Sequence, residues 1–200
     1  MGNTAVIVLD FETSGLSPRR GDRAIEIGAV LIADSCIVDR FQSLINPGMV
    51  VSPFIEALTG ISNAMLEDAP SGGEVMMQFL DFIGDYPLVA HNAPFDGRFL
   101  DAELARIGQT KNNELLCTLK MSRRIYPHIA SHKLETLVRY KKLPVSGVFH
   151  RALADAEMTA RLWLAMIEDM KRLFGLSQIS LEFVQNLSRI SKARAQALFA

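Results

Sequence analysis

The run Ala5 to Leu9 (AVIVL) constrains this chain most. It is short, wholly apolar and rich in β-branched residues, which is the pattern of a strand buried on both faces in the middle of a sheet. A second run, Ala24 to Ile32 (AIEIGAVLI), and a third, Val38 to Ile45, follow after short polar connections. Gly15, Ser17, Pro18 and Gly21 mark the first loop, and Asn46-Pro47-Gly48 ends the third strand. Connections this short predict an antiparallel meander.

The pattern then changes. Val75, Met76, Phe79, Leu80 and Ile83 recur at helical spacing. Leu88 to Ala90 reads as a strand, and Phe95 to Ile107 as a helix with Phe99, Leu100, Leu104 and Ile107 inward. Leu115 to Thr118 reads as a fifth strand, and Leu134 to Tyr140 as a short helix. Arg151 to about Arg172 reads as a long helix with Ala156, Ala160, Trp163, Ile167 and Met170 as its core stripe. Three strands followed by α–β alternation predict an α/β fold, a mixed five-stranded sheet flanked by helices. Residues 1–172 form the main domain in this reading. Residues 173–200 form a helical appendage, because Leu181, Val184, Leu187 and Ile190 keep helical spacing.

Composition excludes little. Of 200 residues 49% are hydrophobic, enough for a sizeable core, and the formal net charge is only −1. Any nucleic-acid binding must therefore be local or act through metal ions. Between Cys117 and Lys142 lies a local basic excess: Lys120, Arg123, Arg124, Lys133, Arg139, Lys141 and Lys142, opposed only by Glu135. Such a stretch would track a phosphate backbone. Cys36 and Cys117 form no metal or redox motif and read as two reduced, buried thiols. No signal-peptide pattern opens the chain and no apolar run approaches ~20 residues, so a cytoplasmic protein without a membrane span is expected.

The chemistry lies in acidic residues at the ends of buried elements. Asp10 and Glu12 follow the first strand two apart, so both point to one side. Two carboxylates there repel unless a cation lies between them. Asp96, in His91-Asn92-Ala93-Pro94-Phe95-Asp96, opens a helix after the fourth strand. Asp155 lies near the start of the long helix beside Ala152, Ala156 and Ala160, whose small side chains suit close approach to the sheet. His150 stands just ahead of that helix. Each residue has an ordinary structural explanation; their joint occurrence is the signal.

Asp10-x-Glu12, Asp96 within HNAPFD, and His150-x4-Asp155 resemble the three exonuclease motifs of the DEDDh family. These are the DnaQ-like exonucleases with a ribonuclease-H-like fold, and the resemblance covers roughly residues 5–172. Thr13-Ser14-Gly15-Leu16 and Leu58-Thr59-Gly60-Ile61 also resemble family segments. The resemblance implies a 3′→5′ exonuclease with two Mg²⁺ or Mn²⁺ ions. Hard divalent ions take oxygen ligands, in keeping with four carboxylates and no thiolates. In the family pattern Asp10 would bridge both ions, Glu12 and Asp155 would complete the shell of the first ion, and Asp96 would act on the second ion, directly or through water. His150 is the general base, since imidazole titrates near neutral pH.

Leu16 and Ile61 would pack on the terminal base, Thr13, Thr59 and Gly60 would hold the 3′ end, and Asn92 and Phe95 would meet the penultimate nucleotide. The implied partner is a single-stranded or frayed 3′ end. DNA is favoured, because Leu116 to Arg124 and His150 to Ala156 look most like DNA-directed stand-alone exonucleases and polymerase proofreading subunits. RNA-trimming members share the motifs, and a binding module without activity would have lost one of the five positions. A homodimer or a polymerase partner through the terminal helix is left open.

Overall fold

The apolar opening strand is the middle of the sheet. In the computed structural model, which describes residues 5–145, 150–191 and 194–195, β1 (Val6–Thr13) lies between β2 (Ala24–Ala33) and β4 (Leu88–Ala90). With β3 (Cys36–Leu44) and β5 (Leu115–Cys117) the order is β3-β2-β1-β4-β5. The β1–β2 and β2–β3 pairs are antiparallel, and β1–β4 and β4–β5 are parallel. This is the mixed five-stranded sheet, flanked by helices, that the hydrophobic runs predict.

Strand β1 is buried on both faces. Val6 and Val8 pack with Trp163, Met166 and Met170 of α7 (Ala152–Phe174). Ile7, Leu9 and Phe11 pack on the other face, where α3 (Gly72–Ile83) and α4 (Pro94–Arg106) supply Phe79, Leu100 and Leu104. The strand also runs further than its apolar stretch. Pairing with β2 continues through Glu12 opposite Glu26, with a bulge before Thr13. Asp10 and Glu12 therefore lie within the strand and extend the Val6–Val8 face, the one covered by α7.

Helix α7 sits unusually close to the sheet at its start. Ala152, Ala156 and Ala160 are fully buried, and a Cβ on Gly28 would overlap the backbone of Ala152 and Leu153. A glycine opposite small residues is what lets the helix touch β2.

Several elements were not expected from sequence. Helices α1 (Pro53–Thr59) and α2 (Asn63–Glu67) fill the connection after β3, capped by Ser52 and Ser62. Helix α5 (Thr118–Ile125) follows β5 without a loop and contains part of the basic stretch. Helix α6 (Leu134–Tyr140) has the expected bounds. Cys117 is buried, but Cys36 is exposed, contrary to expectation. It flanks the Asp34-Ser35 hairpin turn, where both residues have positive φ and the strand end faces solvent.

Helix α8 (Leu181–Arg189) places Val184 and Leu187 in the same core as Trp163, and Arg124 donates twice to the Ile190 carbonyl. Residues 192–193 and 196–200 of the expected appendage lie outside the described residues. Among the described residues no helix is long and apolar enough to cross a membrane.

Candidate active site

Three chain segments meet where β1 and β4 end. β1 brings Asp10 and Glu12 on one face. Helix α4 packs on the other face, but its first turn reaches the strand end, where the Phe11 N–H donates to Asp96 Oδ1 at 3.2 Å. Pro94 opens α4 and Asp96 lies in its first turn, a favourable place for an acid. Helix α7 brings Asp155, whose Oδ2 accepts the His150 N–H at 3.0 Å. His150 is exposed, in the left-handed region at φ 66°. Glu12, His150 and Asp155 each offer an atom within 4.8 Å of the others.

These acids raise one another's pKa. Burial pushes the Asp10 carboxyl well above the carboxylate range, and Asp96, Asp155, Glu12 and Glu26 add to it. Glu12 is pushed up to about 8 by burial, then by Asp155, Glu26 and Asp96, with Arg151 opposing. Burial lifts Asp96 to about 7 against hydrogen bonds from its own N–H and that of Phe11. Asp155 rises to about 6, again mainly through burial, opposed by the backbone N–H and charge of His150.

Such a cluster ionises fully only around cations. A further feature suits a metal: Asp155 Oδ1 is buried and accepts no hydrogen bond. An orphaned carboxylate oxygen among oxygen donors, with one imidazole and no thiolate, fits a hard divalent cation.

Glu26 was missed by sequence reasoning. It is fully buried in β2, directly opposite Glu12. Its carboxylate accepts from Arg151 Nη2 at 2.8 Å and Nε at 3.2 Å, from the Ala152 N–H at 3.0 Å and from Gln42 Nε2 at 2.8 Å. It thus ties the start of α7 to β2, one residue from His150. The signal was present: an acid flanked by isoleucines in a buried strand must be paired.

The expected substrate contacts are more scattered. Leu16 is 79% exposed. Thr13 is buried, with Oγ1 donating to the Gly15 carbonyl at 2.6 Å. Thr59 Oγ1 donates to the Ile55 carbonyl at 2.9 Å and accepts from the Ile61 N–H at 3.1 Å. Gly60 is exposed at φ 69° and closes α1. The Ile61 side chain is fully buried in a small cluster with Ile25, Val51, Ile55 and Leu66, and so is not presented to the cleft. Asn92 is exposed at φ 69°, and the half-buried Phe95 ring lies 5.0 Å from that of Phe99.

Known proteins are similar to this chain in sequence and fold. The profile of the exonuclease family (RNase_T) matches residues 7–163. The chain is 40% identical over 174 residues to the PolC-type DNA polymerase III of Caldanaerobacter subterraneus subsp. tengcongensis. That match covers 87% of this chain but only 12% of the polymerase. It is 31% identical over 189 residues to DNA polymerase III subunit epsilon of Aquifex aeolicus, covering 94% of this chain and 90% of that subunit. The solved structure of exonuclease X in complex with 5′-overhanging duplex DNA has a TM-score of 0.73 at 29% identity, over 92% of this chain and 99% of that one. A profile that runs from the first strand into the long helix, and a relative matched almost end to end, give one assignment: the chain belongs to the exonuclease family.

Proposed function

We propose that the chain hydrolyses the terminal phosphodiester bond at the 3′ end of a DNA strand, releasing nucleoside 5′-monophosphates with two divalent ions and a histidine base. The observation that carries this reading is the convergence of Glu12, Asp155 and His150 beside an unpaired, buried Asp155 oxygen. Asp10, Glu12, Asp96 and Asp155 would hold the ions. Bound there, Mg²⁺ or Mn²⁺ supplies charge stabilisation for the attacking and leaving oxygens.

The chain's own groups do the rest. The exposed His150 imidazole accepts the proton of the attacking water, and the His150 N–H on Asp155 holds that residue at the cluster. Leu16, standing out at the mouth, wedges against the terminal base. The Thr59-Gly60 turn and the loop after Thr13 receive the end, and Asn92 and Phe95 the next nucleotide. DNA is favoured because the named relatives are DNA polymerase III proteins and exonuclease X was solved with DNA. Those relatives also support a polymerase as partner.

The test uses 5′-labelled single-stranded DNA, duplex DNA and RNA side by side, with and without chelator. A shortening ladder on DNA, abolished by chelator, restored by Mn²⁺ and lost in Asp10→Ala, is expected. Faster trimming of RNA would overturn the substrate assignment, and cutting of a closed single-stranded circle would overturn the end requirement.

A further inference from the structure

The basic stretch does not act as one surface. Arg124 is committed to the Ile190 and Lys120 carbonyls. Lys141 pairs with Asp169 at 2.6 Å and lies over the Tyr126 ring. Arg123 and Lys133 differ: both are exposed, neither has an ion-pair partner among the described residues, and both line an open cleft of about 750 Å³. Leu119 and Leu134 add apolar surface to the same cleft, and Asn92 forms its border.

The chain leads from this cleft to the carboxylates. Asn92 lies in the turn between β4 and α4 that leads to Asp96. Glu135, two residues beyond Lys133, lies close enough to Asp155 to raise its pKa.

The cleft wall is braced. His91 Nε2 lies 2.9 Å from the His132 carbonyl and Nδ1 2.9 Å from Thr118 Oγ1. Burial lowers the His91 pKa to about 4, so the ring is neutral at physiological pH. A carbonyl only accepts, so Nε2 carries the proton and Nδ1 accepts from the Thr118 hydroxyl. His132 Nδ1 in turn lies 3.0 Å from Ser122 Oγ. The loop carrying Lys133 is thus tied to β4 and α5, and the two cations face a preformed cleft.

We propose that this cleft is a second nucleic-acid subsite, in which Arg123 and Lys133 bind the phosphate backbone of the single strand upstream of the scissile end. The inference rests on the nuclease reading above. Its chemistry is that of a polyanion: two cations without counter-charges, at one end of an anionic catalytic cluster that by itself repels the strand. No Phe, Tyr or Trp among the described residues lines the cleft, so bases have no large aromatic platform there and binding is mainly electrostatic and tolerant of sequence.

The test compares wild type with an Arg123→Ala/Lys133→Ala double variant. Affinity for a labelled decadeoxynucleotide is read by fluorescence anisotropy in chelator, across a salt series. The chromogenic nitrophenyl ester of thymidine 5′-monophosphate, which fills only the terminal position, is assayed separately with Mn²⁺. Two lost phosphate contacts should make the log–log salt slope shallower by about 1.4. The ratio of decamer to ester kcat/KM should fall several-fold, through KM. An Arg123→Lys/Lys133→Arg exchange should restore most of the affinity, which separates charge from folding. Unchanged decamer affinity and slope in the alanine variant would overturn the subsite, whether or not the ester is cleaved. Failure of wild type to cleave the ester, with the affinity loss intact, would count against the nuclease reading alone.

Discussion

Asp155 presents two unlike oxygens. Oδ2 accepts the His150 N–H, and Oδ1 is buried with no donor. One oxygen positions the histidine backbone, and the proposed mechanism gives the other to a cation. If His150 is the general base, the loss on its removal falls on the chemical step. Base contributions are typically ~10²–10⁴-fold, so His150→Ala should slow single-turnover cleavage by about that factor at saturating metal. Coincident rate–pH curves for variant and wild type would remove His150 from the mechanism.

Glu26 makes a second prediction at this scale. Three of its four accepted hydrogen bonds hold Arg151 and Ala152, and the fourth comes from Gln42; a bond to a charged group contributes about 1.5–3 kcal/mol. In the metal-loaded protein Glu26→Ala should lower stability by roughly that amount and reduce kcat more than KM, since His150 and Asp155 lose their anchor. Chemical denaturation alongside steady-state kinetics reads both. A variant with full kcat would show that α7 holds its place without the tie.

At the scale of elements, legibility follows the length and strength of the pattern. The five strands and α7 were readable because β1 and α7 carry unbroken periodic apolar sets. Helices α1 and α2, of 7 and 5 residues, are too short to show a period. Their signals were the caps Ser52 and Ser62, the Pro53 start and the Gly60 stop. Helix α5 begins at Thr118, directly after Cys117 and with no side-chain cap, so no punctuation separated it from β5. The carboxylates were visible as acids next to apolar runs. Glu26 was hidden inside such a run, and its partner Arg151 is remote in sequence.

The contact between β2 and α7 is the element-scale feature most open to test. Gly28→Ala places a methyl group against the backbone of Leu153. Backbone cannot step aside as a flexible side chain can, so the helix start must move. Overpacking of this kind costs about 1–3 kcal/mol. The expected result is a lower Tm with a larger loss in kcat, because Asp155 moves with the helix. An unchanged Tm and kcat would mean that the helix start yields freely.

For the whole molecule, the acid cluster sets how stability depends on pH. Glu12, Asp96 and Asp155 have folded-state pKa values of about 8, 7 and 6, above the ~4 of an unfolded chain. Folding therefore favours their protonated forms. The stability this contributes is fully present below about pH 4 and is lost as pH rises through about 6 to 8. In excess chelator, Tm should fall across that window. Saturating Mn²⁺ should flatten the fall, because bound cations favour the ionised forms. A metal-free Tm that held level or rose between pH 5 and 8 would contradict the arrangement.

The site's segments lie far apart along the chain, with Asp10 and Glu12 near one end of the sequence, Asp96 midway and Asp155 well beyond. During synthesis the first strand emerges long before the helix that completes the cluster. A nascent chain that stops short of α7 holds at most three of the four acids, and its β2 face at Gly28 stays uncovered. The late arrival of one helix thus separates making the protein from arming it: a partly made or clipped chain cannot gather the full set of acids.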